Sequence, residues 1–250
     1  MLSAPQVIVL HGLGRSSTTM WLLSHRLTKS GFDVRNIDYP STKLSIPDLV
    51  RGLATEVDAC CGQSERPLHF VTHSLGGILV RAYLAEHRPE NLGRVVMLSP
   101  PNRGTELVDR VVSHPLFRWA TGPTVQDLGT ATTSLPNRLG PADFELGVIT
   151  GSRSLNPIAS WLISGTDDGV VSVSSARLKG MADFLVVPKT HTFIMNSSDV
   201  AREVIHFLNH GAFSSTTVSR RPTRLYRTPA KPPEPVIQET QDASIKREPT

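Results

Sequence analysis

The chain has 250 residues, 39% hydrophobic and 19% charged, the balance of a globular protein large enough for one buried α/β core. Its formal net charge is +4, but seven basic and four acidic residues between Ser214 and Thr250 carry three of those excess charges; the remainder is near neutral, which excludes a basic globular face for nucleic acid. No apolar run reaches the roughly 18–20 residues of a membrane span, and Met1-Leu2-Ser3-Ala4-Pro5 enters Val7-Ile8-Val9-Leu10 without the segments of a secretory signal.

Gln6–Leu10 reads as a buried strand, stopped by His11-Gly12-Leu13-Gly14. A helix is expected over Thr18–Lys29, with Trp21, Leu22, Leu23 and Leu27 on its apolar face and Gly31 as a stop. Asp33–Tyr39 is a second strand, and Ser45-Ile46-Pro47-Asp48 opens a helix carrying Leu49, Leu53 and Val57 on one stripe. Cys60 and Cys61, the only cysteines, are neighbours, a spacing that argues against bonding to one another. Two free thiols fit a reducing compartment, so a cytoplasmic protein is expected. Leu68–His73 is a third strand, Gly76–His87 the helix after it, and Arg94–Leu98 a fourth strand ending in Ser99-Pro100-Pro101-Asn102.

From about Gly104 to Asp143 the rhythm breaks, with short helices expected at Leu107–Val112 and Leu116–Trp119. Strand-like runs return at Leu146–Thr150, Trp161–Ser164 and Phe184–Val187, and a final helix over Asp199–Asn209 places Val200, Val204 and Leu208 at four-residue spacing. This alternation predicts an α/β domain over residues 1–213, a mostly parallel sheet with helices on both faces and a small cap at about 104–143. Beyond it, six prolines scattered among charges bury too little to offset the entropy of ordering, so 214–250 is expected to be a disordered tail.

The chemistry concentrates in Phe70-Val71-Thr72-His73-Ser74-Leu75-Gly76-Gly77, a strand running through a serine into a helix. A serine hydroxyl becomes a nucleophile when it is exposed, oriented and served by a base. A sharp strand-to-helix turn does the exposing, and it requires small residues two before and two after; Thr72 and Gly76 hold those places. His11-Gly12-Leu13-Gly14 ends the first strand where a backbone N–H can meet an oxyanion, which makes Leu13 and Leu75 the expected donors. Proteins with this corner order their groups along the chain as serine, acid, histidine. Of nine histidines, His191, His206 and His210 come late enough. His206 and His210 belong to the last helix, whereas His191 lies on a loop at the carboxyl edge of the sheet, where ligands bind. The acid is sought in Asp167-Asp168-Gly169, at the expected end of Trp161–Ser164, with Asp168 preferred.

The segments VLHGLGRSS, FVTHSLGGILVRAYL, VVMLSPPNRGTEL, SGTDDGVVSVSSARL and PKTHTFIM resemble the lipase and carboxylesterase branch of the α/β-hydrolase superfamily, above all bacterial lipases. The resemblance runs from Val9 to Met195. It implies the α/β-hydrolase fold, with Ser74 as nucleophile, His191 as base and Leu13 and Leu75 as oxyanion donors. It implies Asp168 as acid, because that aspartate directly precedes glycine, a hydrophobic residue and valine. It implies hydrolysis of acyl esters or lipids without a metal or other cofactor; a thioesterase, a phospholipase, an acyltransferase and a non-catalytic lipid- or partner-binding protein are the alternatives. A substrate pocket is expected from His11 and His73 together with Leu107, Val111, Val112, Leu116, Phe117 and Trp119 of the cap. In the tail, Pro229–Pro235 would suit a proline-binding partner.

Overall fold

The computed structural model describes residues 4–62, 64–111 and 121–214. The chain divides into two units, Met1–Val218 and Ser219–Thr250. The second, the tail from residue 215 and the expected helix Leu116–Trp119 lie outside the described residues.

Six strands build one sheet: β1 (Gln6–Leu10), β2 (Asp33–Ile37), β3 (Leu68–His73), β4 (Leu92–Leu98), β5 (Leu146–Gly151) and β6 (Asp183–Val187). Their order is β2-β1-β3-β4-β5-β6 and every pairing is parallel. The continuous apolar runs of β1 and β3 are what such a sheet needs, since both faces are covered. Side chains alternate between two cores. Ile8, Leu10 and Phe70 pack toward α2 (Ile46–Cys61) and α3 (Leu75–Glu86). Val7, Val9 and Val71 pack toward α1 (Trp21–Lys29) and a C-terminal helix over Ser198–His210, which buries Val200, Val204 and Leu208.

Local signals explain most boundaries. Ser45 caps α2 by accepting the Asp48 N–H, with Pro47 in the first turn. The C-terminal helix stops at Gly211, whose φ of 77° needs a residue without Cβ. The α1 region departs from expectation: Ser17–Met20 is a 3-10 turn, and Trp21 is 61% exposed while Met20, Leu23 and Leu27 form the buried face.

Between β4 and β5 the chain forms α4 (Glu106–Val111), a 3-10 turn Pro123–Asp127 and α5 (Leu135–Arg138). Arg81 of α3 fastens this region. Its buried guanidinium donates to Asn102 O at 3.0 Å, Pro136 O at 2.9 Å and Gly140 O at 2.8 Å.

Between β5 and β6 the expected strand Trp161–Ser164 is instead the end of helix α6 (Pro157–Leu162). Asn156 accepts the Ala159 N–H and Pro157 supplies the preset φ, a helix-start pair that outweighs four apolar-rich residues; Trp161 is 84% exposed. The short helix α7 (Val173–Ala176) follows, and the C-terminal helix is α8. A second departure is at Cys60 and Cys61, which form a vicinal disulfide at the end of α2 rather than two separate thiols. Among the described residues, no helix is long and apolar enough to cross a membrane.

Candidate active site

Ser74 stands at the corner where β3 becomes α3, with φ 52° and ψ −120°. A residue with a side chain is strained there, and only an over-determined surrounding holds it. That surrounding is tight. Ser74 N–H donates to Leu98 O at 2.9 Å, and Ser74 O accepts the Gly77 N–H at 2.9 Å. A Cβ on Gly76 would lie 2.8 Å from His11 O and 3.0 Å from Leu10 O, so α3 presses its first turn onto the end of β1. A Cβ on Gly12 would lie 2.8 Å from His73 Nδ1 and 3.1 Å from Ser74 Cβ, so the loop after β1 packs directly against the serine. Thr72 is fully buried in the middle of this packing.

Ser74, His191 and Asp168 form one hydrogen-bonded series. Ser74 Oγ–H donates to His191 Nε2 at 3.0 Å. His191 Nδ1–H donates to Asp168 Oδ2 at 2.9 Å, which assigns the Nδ1–H tautomer. The other oxygen, Asp168 Oδ1, accepts Val171 N–H at 2.9 Å and Val170 N–H at 3.1 Å. Burial pushes the Asp168 carboxyl up, yet adjoining His191 and hydrogen bonds from His191, Ser99 and Val171 hold it below the usual carboxylate range. Asp167 faces away. Its Oδ1 accepts Ser160 Oγ–H at 2.8 Å and Gly169 N–H at 2.7 Å, bracing the turn that aims its neighbour.

Main-chain contacts join the His191 loop to this turn and to β3. His191 N–H donates to Asp168 O at 2.9 Å, and His73 Nε2–H donates to His191 O at 3.0 Å. His73 is buried, and burial together with the His191 charge pushes it down to about 3, so its imidazole stays neutral. His11 serves the loop below. Its Nδ1–H donates to Gly12 O at 2.8 Å, its ring stacks on Tyr39 at 4.2 Å, and its carbonyl accepts the Tyr39 hydroxyl at 2.6 Å. Leu13 directly precedes two N–H groups already in use, Gly14 N–H donating to Ser41 Oγ at 3.0 Å and Arg15 N–H to Gly12 O at 3.3 Å. Leu75 opens α3, where a helix leaves its first N–H groups without intrahelical partners.

Above Ser74 lies a cavity of about 250 Å³ walled by Leu107, Val108, Val125, Leu128, Val170 and Val171. Of the residues expected to line it, His73 and Leu107 do, while His11 lies behind the loop and does not. Val111 belongs to α4, and Val112, Leu116, Phe117 and Trp119 fall outside the described residues. His206 and His210 are on α8, bonded through Nδ1 to Ala212 O and His206 O. Among the described residues no group of three or more His, Cys, Asp or Glu is arranged to hold a metal.

Two residues at the site escape a reading of the sequence. Ser99, at the end of β4, has φ 48°, is fully buried, and hydrogen-bonds the Asp168 carboxylate. Its place beside two prolines reads only as a turn. Thr105 ties the segment after β4 to the acid turn, its Oγ1–H donating to Val170 O at 2.6 Å.

Comparison with known proteins shows the family and the fold. The model of a family described as the alpha/beta hydrolase family matches residues 7–206. No curated protein matches the chain. Among solved structures, the mature Bacillus licheniformis lipase superposes with a TM-score of 0.64 at 20% identity, covering 78% of this chain and 88% of that one. A Legionella pneumophila phospholipase gives 0.62 at 16% identity, covering 82% and 62%. The type II thioesterase of the borrelidin biosynthetic cluster gives 0.51 at 15% identity, covering 84% and 93%. At these identities the likeness is one of fold.

Proposed function

Because this chain belongs to the alpha/beta hydrolase family, we propose that it is a serine hydrolase that cleaves carboxylic esters through an acyl-enzyme on Ser74. The observation that carries this is the unbroken series from Ser74 Oγ through His191 to Asp168, at 3.0 and 2.9 Å. His191 Nε2 takes the Ser74 proton as the oxygen attacks the ester carbonyl. The N–H groups of Leu13 and Leu75 receive the oxyanion, each such donor being worth about 3–4 kcal/mol. His191 then protonates the leaving alcohol, and a water activated by the same imidazole releases the acid. Asp168 holds one tautomer throughout and stabilises the imidazolium. The residues named supply every proton transfer, so the reaction needs no cofactor. The apolar cavity wall suits an acyl chain, which makes a small-molecule acyl ester or a lipid the proposed substrate.

A fluorophosphonate probe tests the nucleophile. The protein should be labelled and Ser74→Ala should not; equal labelling of the variant would remove the reading. A chain-length series of p-nitrophenyl esters beside matched acyl thioesters then tells the bond that is cleaved.

A further inference from the structure

The cavity over Ser74 has one formally charged side chain in its described lining, Arg15. The remainder of the wall is aliphatic, hydroxylic or backbone, apart from the imidazoles of His73 and His191. Arg15 is exposed and follows Gly14, whose φ of 63° turns the loop over the nucleophile. The backbone that leads into it is fixed by the bonds of Gly14 to Ser41 and of Arg15 to Gly12. Its guanidinium has no carboxylate partner among the described residues. Asp38, the nearby acid, is engaged by Ser17 N–H at 2.8 Å and lies 3.2 Å from His11 Nε2. The charge of Arg15 is felt at His73, the neighbour of Ser74 in the chain.

An arginine is a fork of donors shaped for carboxylate and phosphate. One without a carboxylate partner among the described residues, at the rim of an apolar cavity, divides the site by chemistry. The acyl chain fits the interior, and what leaves toward solvent passes the guanidinium. Resting on the acyl-transfer reading of Ser74, we propose that Arg15 is a specificity residue for substrates whose leaving alcohol or thiol carries an anionic group, a carboxylate or a phosphate. The covalent step is unchanged: the acyl–oxygen or acyl–sulfur bond breaks, the acyl group passes to Ser74 Oγ, and the leaving group takes its proton from His191. Arg15 acts only on the binding of the anion beside that bond.

The test measures kcat/KM for three butyrate esters of nitrophenols: one uncharged, one with a ring carboxylate and one with a ring phosphate. The wild-type protein should favour an anionic ester over the neutral one, and the preference should shrink as salt is raised, because an exposed guanidinium is screened. In Arg15→Gln the anionic-to-neutral ratio should fall about tenfold, the worth of a hydrogen bond to a charged group at a solvent-exposed site. Arg15→Glu should bring the ratio below one, and Arg15→Lys should restore most of it. A merely structural role would move all three esters together. Preference for phosphate over carboxylate narrows the anion, and equal preference leaves both within the proposal. A ratio indifferent to Arg15→Gln and Arg15→Glu, with Ser74 still required for turnover, overturns this proposal alone. Turnover that survives Ser74→Ala overturns the acyl-transfer reading and this proposal with it.

Discussion

The Asp168 carboxylate is fully engaged: one oxygen by His191, the other by two backbone N–H groups, with the Ser99 hydroxyl on the same carboxylate. Replacing it by asparagine keeps the shape and removes the acceptor that selects the tautomer. On the proposed reading, Asp168→Asn should lower kcat for a p-nitrophenyl ester by about 10⁴-fold, as loss of the tautomer does in serine–histidine–aspartate enzymes. Ser99→Ala should lower it far less, by about tenfold with KM unmoved, since one charge-assisted hydrogen bond to a positioning group is lost. Steady-state kinetics of the two variants separates the roles; equal losses would mean that Ser99 does more than position the acid. Chain order and glycine spacing single out Ser74, Asp168 and His191 in the sequence, and the structure brings the three into one hydrogen-bonded series. Ser99 is not singled out, because its contribution comes from the parallel pairing of β4 with β5, which brings residues about fifty positions apart side by side.

Glycine decides how closely α3 can approach β1. At Gly76 an added methyl would meet two carbonyl oxygens of the backbone, His11 O and Leu10 O, which have no rotamer to escape into. Gly76→Ala should therefore cost about 2 kcal/mol of stability and displace the Leu75 N–H from its present position. Urea unfolding and ester turnover on the same preparation check both parts; an unchanged midpoint would show that the helix shifts freely. The elements with strong periodic or capping signals, β1, β3, α2 and α8, match their sequence patterns to within a residue or two. Helix α6 did not, because Trp161-Leu162-Ile163 looks like a buried run when its burial is unknown. In the fold Trp161, Ile158 and Leu155 face outward, and only Ala159 and Ile163 are buried.

Acid should weaken the whole molecule earlier than its carboxylates alone would. Burial holds His69 at about 4 and His73 at about 3, against an ordinary 6.5. Their folded values lie below the unfolded one, so the unfolded chain binds protons first as pH falls. The stability they contribute is intact above 6.5 and is lost on the way down to 4 and 3, at up to about 1.4 kcal/mol per pH unit for each. Asp168, lowered from 3.8, adds a loss in the same direction only at still lower pH. Scanning calorimetry should find a melting temperature that declines from about pH 7 to pH 5, with a shallower decline in His69→Gln; a flat profile would contradict this. The parallel order of the strands has one more consequence, for biosynthesis. Each of Ser74, Asp168 and His191 follows a different strand, and His191 comes 117 residues after Ser74. At about 5–20 residues per second of synthesis, the growing chain carries Ser74 for several seconds or longer before His191 is made. On the proposed reading of Ser74 and His191, a nascent or prematurely terminated chain would be chemically silent, and turnover would report only chains completed through the β6 loop.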